Sequence, residues 1–95
     1  MNFGTNFESK TSRPHPADEG GIQHVFRFGN GYGASVVRFK YSYGGDRGLW
    51  ELAVIKFNGD DWSLTYQTPI TGDVIGNLAE DEVGQLLHDI SALPE

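Results

Sequence analysis

The stretch from Gly48 to Phe57 constrains the fold most, because it is apolar on both sides of a period of two. Trp50, Leu52 and Val54 fall on one side, and Ala53, Ile55 and Phe57 on the other. Successive side chains of a strand point to opposite faces, so a run without a solvated face marks a strand covered on both sides. The pattern predicts a central strand over residues 49–57.

Two Asn-Gly pairs organise the strands around it. Ile22, His24, Phe26 and Phe28 alternate with Gln23, Val25 and Arg27, and the run ends at Asn30-Gly31. Asn-Gly between alternating runs signals a two-residue hairpin loop whose residues both adopt positive φ. That loop pairs Phe28 with Gly33, Phe26 with Ser35, His24 with Val37 and Ile22 with Phe39. It leaves Arg27, Arg38 and Lys40 together on the opposite face, and a slip of one residue would scramble both faces. After the glycine-rich loop 42–48 and the central strand, Asn58-Gly59 predicts a second hairpin into residues 62–67. Ile55 then faces Trp62 and Ala53 faces Leu64, and a longer loop over 58–61 keeps the same faces.

Thr68-Pro69 ends that strand, since proline cannot donate to a ladder. Residues 69–78 read as a connection broken by Gly72-Asp73 and Gly76-Asn77. Val83, Leu86, Leu87 and Ile90 then recur at helical spacing, with Glu80, Asp81 and Glu82 in the first turn and Pro94 beyond the end. Residues 1–21, rich in Asn, Gly, Ser, Thr and Pro, read as a flexible leader. The expected architecture is α+β: residues 22–95 form a four-stranded antiparallel β-meander with one C-terminal amphipathic helix packed on one sheet face. Trp50, Leu52 and Val54 then need a cover from the leader, the 70–78 connection or a second subunit, so a homodimer is one expectation.

Composition narrows the function. Ninety-five residues make one domain with a small core, and twelve aromatics supply bulk for it. The chain has no cysteine, which excludes disulfides and thiolate zinc sites. No apolar run is long enough to span a bilayer, and the N-terminus lacks the pattern of a signal peptide. The expected setting is therefore the cytoplasm. The formal charge of −6 arises wholly in residues 70–95, which hold six acids and no Lys or Arg. An acidic end repels nucleic acid and anionic lipid and attracts basic partners.

No constellation points to catalysis. Gly29-Asn30-Gly31-Tyr32-Gly33-Ala34 resembles a kinase glycine loop, and Ala53-Val54-Ile55-Lys56 its lysine strand, but the third glycine falls on Ala34 and no His-Arg-Asp or Asp-Phe-Gly follows. His15, His24 and His88 are scattered, and His24 on an apolar face reads as a satisfied core histidine. Asp60-Asp61 sit in a turn, where adjacent side chains diverge and offer no calcium cage. No metal and no cofactor is expected.

The function expected is non-enzymatic protein binding to a partner with a basic surface. Glu80, Glu82, Gln85 and Asp89 on the helix and Tyr43, Asp46 and Arg47 on the glycine-rich loop are the candidate contact residues. A second reading is a nucleic-acid binder using the basic sheet face of Arg27, Arg38 and Lys40, against which the acidic balance weighs. A third is a small enzyme whose groups only the fold brings together.

The segments Gly31-Tyr32-Gly33-Ala34-Ser35-Val36, Tyr43-Gly44-Gly45, Gly48-Leu49-Trp50-Glu51-Leu52-Ala53-Val54 and Tyr66-Gln67-Thr68-Pro69-Ile70-Thr71-Gly72-Asp73-Val74-Ile75-Gly76 carry a resemblance. Together they are similar to a family of small proteins encoded by tailed bacteriophages, over residues 25–93. No catalytic residues carry over. The resemblance implies an acidic phage product in the bacterial host cytoplasm that binds or inhibits a host protein, in host takeover or counter-defence. Ala79 departs from a strong helix start, where Ser or Thr would cap better.

Overall fold

The computed structural model describes residues 9–15, 18–40, 42, 44–65, 68–70 and 74–94. Among these residues, six antiparallel strands form one sheet: β1 (Ser9–His15), β2 (Asp18–Arg27), β3 (Tyr32–Arg38), β4 (Trp50–Asn58), β5 (Asp61–Leu64) and β6 (Ile75–Leu78). The order is β1-β2-β3-β4-β5, with β6 paired to β4 beyond the end of β5. A 3-10 turn, Gly45–Arg47, precedes β4, and helix α1 (Glu80–Ser91) follows β6. The α+β class, the antiparallel sheet and the C-terminal helix agree with expectation. The four-strand count does not.

Both additional strands have physical reasons to escape a hydrophobic pattern. β1 lies within the stretch read as a leader and is polar along its length, because it is an edge strand with one neighbour. Pro14 is tolerated there, beside a bulge between Pro14 and His15. β6 lies within the stretch read as a connection. It pairs Leu78 with Trp50 and Ile75 with Leu52, although Asn77 takes a left-handed φ of 58°.

The first hairpin corrects the expected register by one residue. Its loop has three residues, 29–31, closed by the Phe28 N–H donating to the Tyr32 carbonyl at 2.9 Å. Gly31 alone has positive φ (87°), as in a type I turn followed by a left-handed residue. Asn30 is needed for its side chain instead. Its amide nitrogen donates to the carbonyls of Ile90 (2.9 Å), Leu93 (2.9 Å) and Ser91 (3.3 Å), and its amide oxygen accepts from Tyr32 N–H at 3.0 Å. The hairpin tip thus supplies donors to carbonyls at and just beyond the end of α1, where the Ile90 carbonyl also accepts the Leu93 N–H at 3.1 Å. Phe26 pairs with Ala34, His24 with Val36 and Ile22 with Arg38, which exchanges the faces of β3.

The second hairpin keeps its expected faces. Phe57 pairs with Trp62 and Ile55 with Leu64, the register of the longer-loop alternative, around Gly59 at φ 64°. The helix covers the face carrying Phe26, Ala34, Val36, Trp50, Leu52 and Val54, packing against β3 and β4 with Val83, Leu87 and Ile90. The three β4 residues expected to want another cover therefore lie under α1, with β6 paired beside Trp50 and Leu52 in the sheet. The Cα radius of gyration is 12.3 Å.

Candidate functional site

The residues expected to contact a partner fall into two neighbouring groups. Glu80, Glu82 and Gln85 are exposed on α1, and Asp89 is half-buried. Glu82 also has a local task, accepting the Ala79 N–H at 3.0 Å and so holding one of the free donors at the helix start. Gln85 donates to Asp89 at 3.0 Å, one turn on. Asp46 and Arg47 are exposed on the 3-10 turn, and the Arg47 guanidinium donates to the Asn77 side-chain oxygen. Since Asn77 lies just before α1, that bond ties the loop beside the start of the helix. Tyr43 lies outside the described residues.

The expected basic sheet face is not assembled. With β3 shifted by one residue, Arg27 and Arg38 lie on opposite faces. Arg27 stacks over Phe57 at 4.6 Å and sits 3.7 Å from Asp60. Arg38 stacks over Trp50 at 4.4 Å and donates to the Gly48 carbonyl at 3.4 Å. Lys40 is exposed beyond the end of β3. Nor do the histidines converge. His24 is buried, with Nδ1 at 2.7 Å from Ser12 Oγ and its ring 5.5 Å from that of Trp50. His15 stacks on Phe39 at 3.8 Å, and His88 is exposed on α1. Among the described residues, no three His, Asp or Glu side chains are grouped to hold a metal.

The sheet's other face contains a site that the sequence did not suggest. Thr11 and Arg13 of β1, Val25 of β2 and Trp62 of β5 line one cavity of about 200 Å³, so the sheet curls until its first and fifth strands share a wall. A second cavity of about 340 Å³ shares Trp62 and is floored by Gln23, Ser35, Val37 and Ala53. His15, Phe39, Glu51, Leu64 and Val74 complete it. Together the two form a trough along the concave face. Pockets of this size with apolar walls and a few polar groups are the usual form of a ligand site.

The polar groups of the trough form a chain across three strands. Arg13 Nε donates to Gln23 Oε1 at 2.7 Å, and Gln23 Nε2 donates to Ser35 Oγ at 2.9 Å. The amide orientation is fixed, because the Arg13 nitrogen can only donate. At the rim, Trp62 (36% exposed) and Leu64 (49%) are the large hydrophobic side chains left to solvent among the described residues. Both stand on β5, next to the exposed Asp60 and Asp61.

Comparison of the chain with models of protein families, with curated proteins and with solved structures gives no match. The period of two in Gln23, Val25 and Arg27 carried a trace of the trough, as did that in Trp62 and Leu64. What joins them is the curl of the sheet, which no local pattern encodes.

Proposed function

We propose that this protein is a non-enzymatic binding module that engages a protein partner through β5 and the acidic surface next to it. The observation that carries the reading is the exposure of Trp62 and Leu64 on one face of an edge strand. Aromatic anchors beside charged rims are the groups that dominate protein interfaces, and an unpaired edge accepts an added strand. Asp60 and Asp61 flank the anchors, and Glu80, Asp81 and Glu82 crowd the start of α1. This sign of charge favours a partner with basic groups around an apolar contact. No helix among the described residues is long and apolar enough to cross a membrane. In a phage setting, the partner would be a host protein of the bacterial cytoplasm, held and inhibited by stoichiometric binding.

The test is affinity capture from bacterial lysate with the natural chain and with Trp62→Ala/Leu64→Ser, read by mass spectrometry beside the solution mass of the free protein. A host protein retained by the natural chain and lost by the variant is the expected result. Capture that ignores the variant overturns the assignment of β5. A free protein that is already a dimer, and becomes a monomer in the variant, makes a second copy the occupant of this edge and overturns the host-protein reading.

A further inference from the structure

The chain Arg13–Gln23–Ser35 has more donors than its own acceptors use. Gln23 Oε1 takes one guanidinium N–H, and Ser35 Oγ takes one amide N–H. Left over among the described residues are the other guanidinium N–H groups, the second amide N–H of Gln23 and the Ser35 hydroxyl proton. Gln23 and Ser35 are each only 7% exposed, on the floor of the trough, and Arg13 lines its neighbouring cavity. The buried amide and hydroxyl donors of Gln23 and Ser35 seek acceptors, and the exposed guanidinium at one end makes a carboxylate the best match. Val37, Ala53, Trp62 and Leu64 continue the trough away from this row as apolar wall. Glu51 faces the same cavity but is itself engaged, and it lies across from Val37 rather than from Ser35.

We propose that the trough binds a small amphiphile, an apolar body that ends in a carboxylate. The carboxylate meets the Arg13–Gln23–Ser35 row while the body lies against Trp62 and Leu64. This site goes beyond the partner-binding reading and is testable on the isolated chain, so either can fail without the other.

Octanoate, octan-1-ol and octylamine are the probes, titrated into the full chain. The readouts are the NMR signals of the Trp62 indole N–H and the Gln23 side-chain amide. Octanoate is expected to shift both signals saturably, with octan-1-ol weaker and octylamine without effect. Arg13→Gln, at an exposed edge position, should weaken octanoate about tenfold, the scale of one charge-assisted hydrogen bond, and leave octan-1-ol unchanged. Arg13→Lys should lose less than Arg13→Gln. Absence of a saturable octanoate shift overturns the site. Equal binding of all three probes, or an octanoate affinity indifferent to Arg13→Gln, overturns the carboxylate.

Discussion

Phe26, Val36, Leu52 and Val54, on the face beneath α1, are shut off from solvent, whereas Gln23, Ser35 and Trp62 on the opposite face line an open trough. The same strands make both surfaces, one residue apart along the chain. The covered face has aliphatic and aromatic contacts, a helix for a lid and one hairpin tip fastening that lid. The concave face has a hydrogen-bonded polar row, two cavities and an exposed tryptophan. In a sheet of this size, one closed face can supply the stability that leaves the other free to recognise something. The division of labour can be broken at either face, and the two faces should respond in opposite ways.

The largest effect is expected on the covered side. Leu87 is fully buried between α1 and the sheet. Leu87→Ala should cost about 2–5 kcal/mol, through lost burial and the cavity left behind. Urea denaturation followed by far-UV circular dichroism measures it. A cost below about 1 kcal/mol would mean that the lid contributes little and that the two faces do not differ in this way.

A smaller effect tests how the lid is fastened. Asn30→Ala removes the donors to three carbonyls at the end of α1 and the acceptor for Tyr32 N–H. The expected loss is about 1–3 kcal/mol, with hydrogen-exchange protection falling first at the end of α1 and at the hairpin tip. Asn58 occupies the corresponding place in the second Asn-Gly pair but is exposed on the sheet's other hairpin. Asn58→Ala should therefore stay within about 0.5 kcal/mol. Equal effects at the two asparagines would show that backbone turn preference, rather than contact with the helix, is what Asn30 supplies.

These two asparagines also show what was legible in the chain. A pattern within a few residues was readable: the two-sided run of β4, the helical spacing of Val83, Leu87 and Ile90, and the faces of the second hairpin. The first hairpin looked the same as the second, yet its register differs by one residue from the two-residue loop and its Asn30 side chain reaches a carbonyl sixty positions away. That contact leaves no trace in a window of a few residues. β1 was hidden for a different reason, since its sequence shows no apolar alternation and Thr11, Ser12, Arg13 and Pro14 are exposed. The trough was hidden because it depends on both facts, the corrected faces of β3 and the added edge strand that curls toward β5. The candidate residues on α1 and the 3-10 turn were visible as exposed charge, and the structure gives two of them, Glu82 and Arg47, structural tasks as well.

The smallest stability effect separates the faces most cleanly. Leu64 is half exposed at the rim of the trough, on an edge strand of four residues. Leu64→Ser removes apolar surface of which folding leaves about half in water, so the unfolding free energy should fall by no more than about 1 kcal/mol. Binding is a different matter, because that surface is what the proposed partner and the proposed amphiphile would both cover. The variant should therefore unfold at a urea concentration close to that of the natural chain while losing octanoate affinity several-fold. A stability loss comparable to that of Leu87→Ala would mean that Leu64 closes a second core, and the concave face would then be structural. Unchanged stability with unchanged octanoate binding would place the ligand elsewhere in the trough, away from β5.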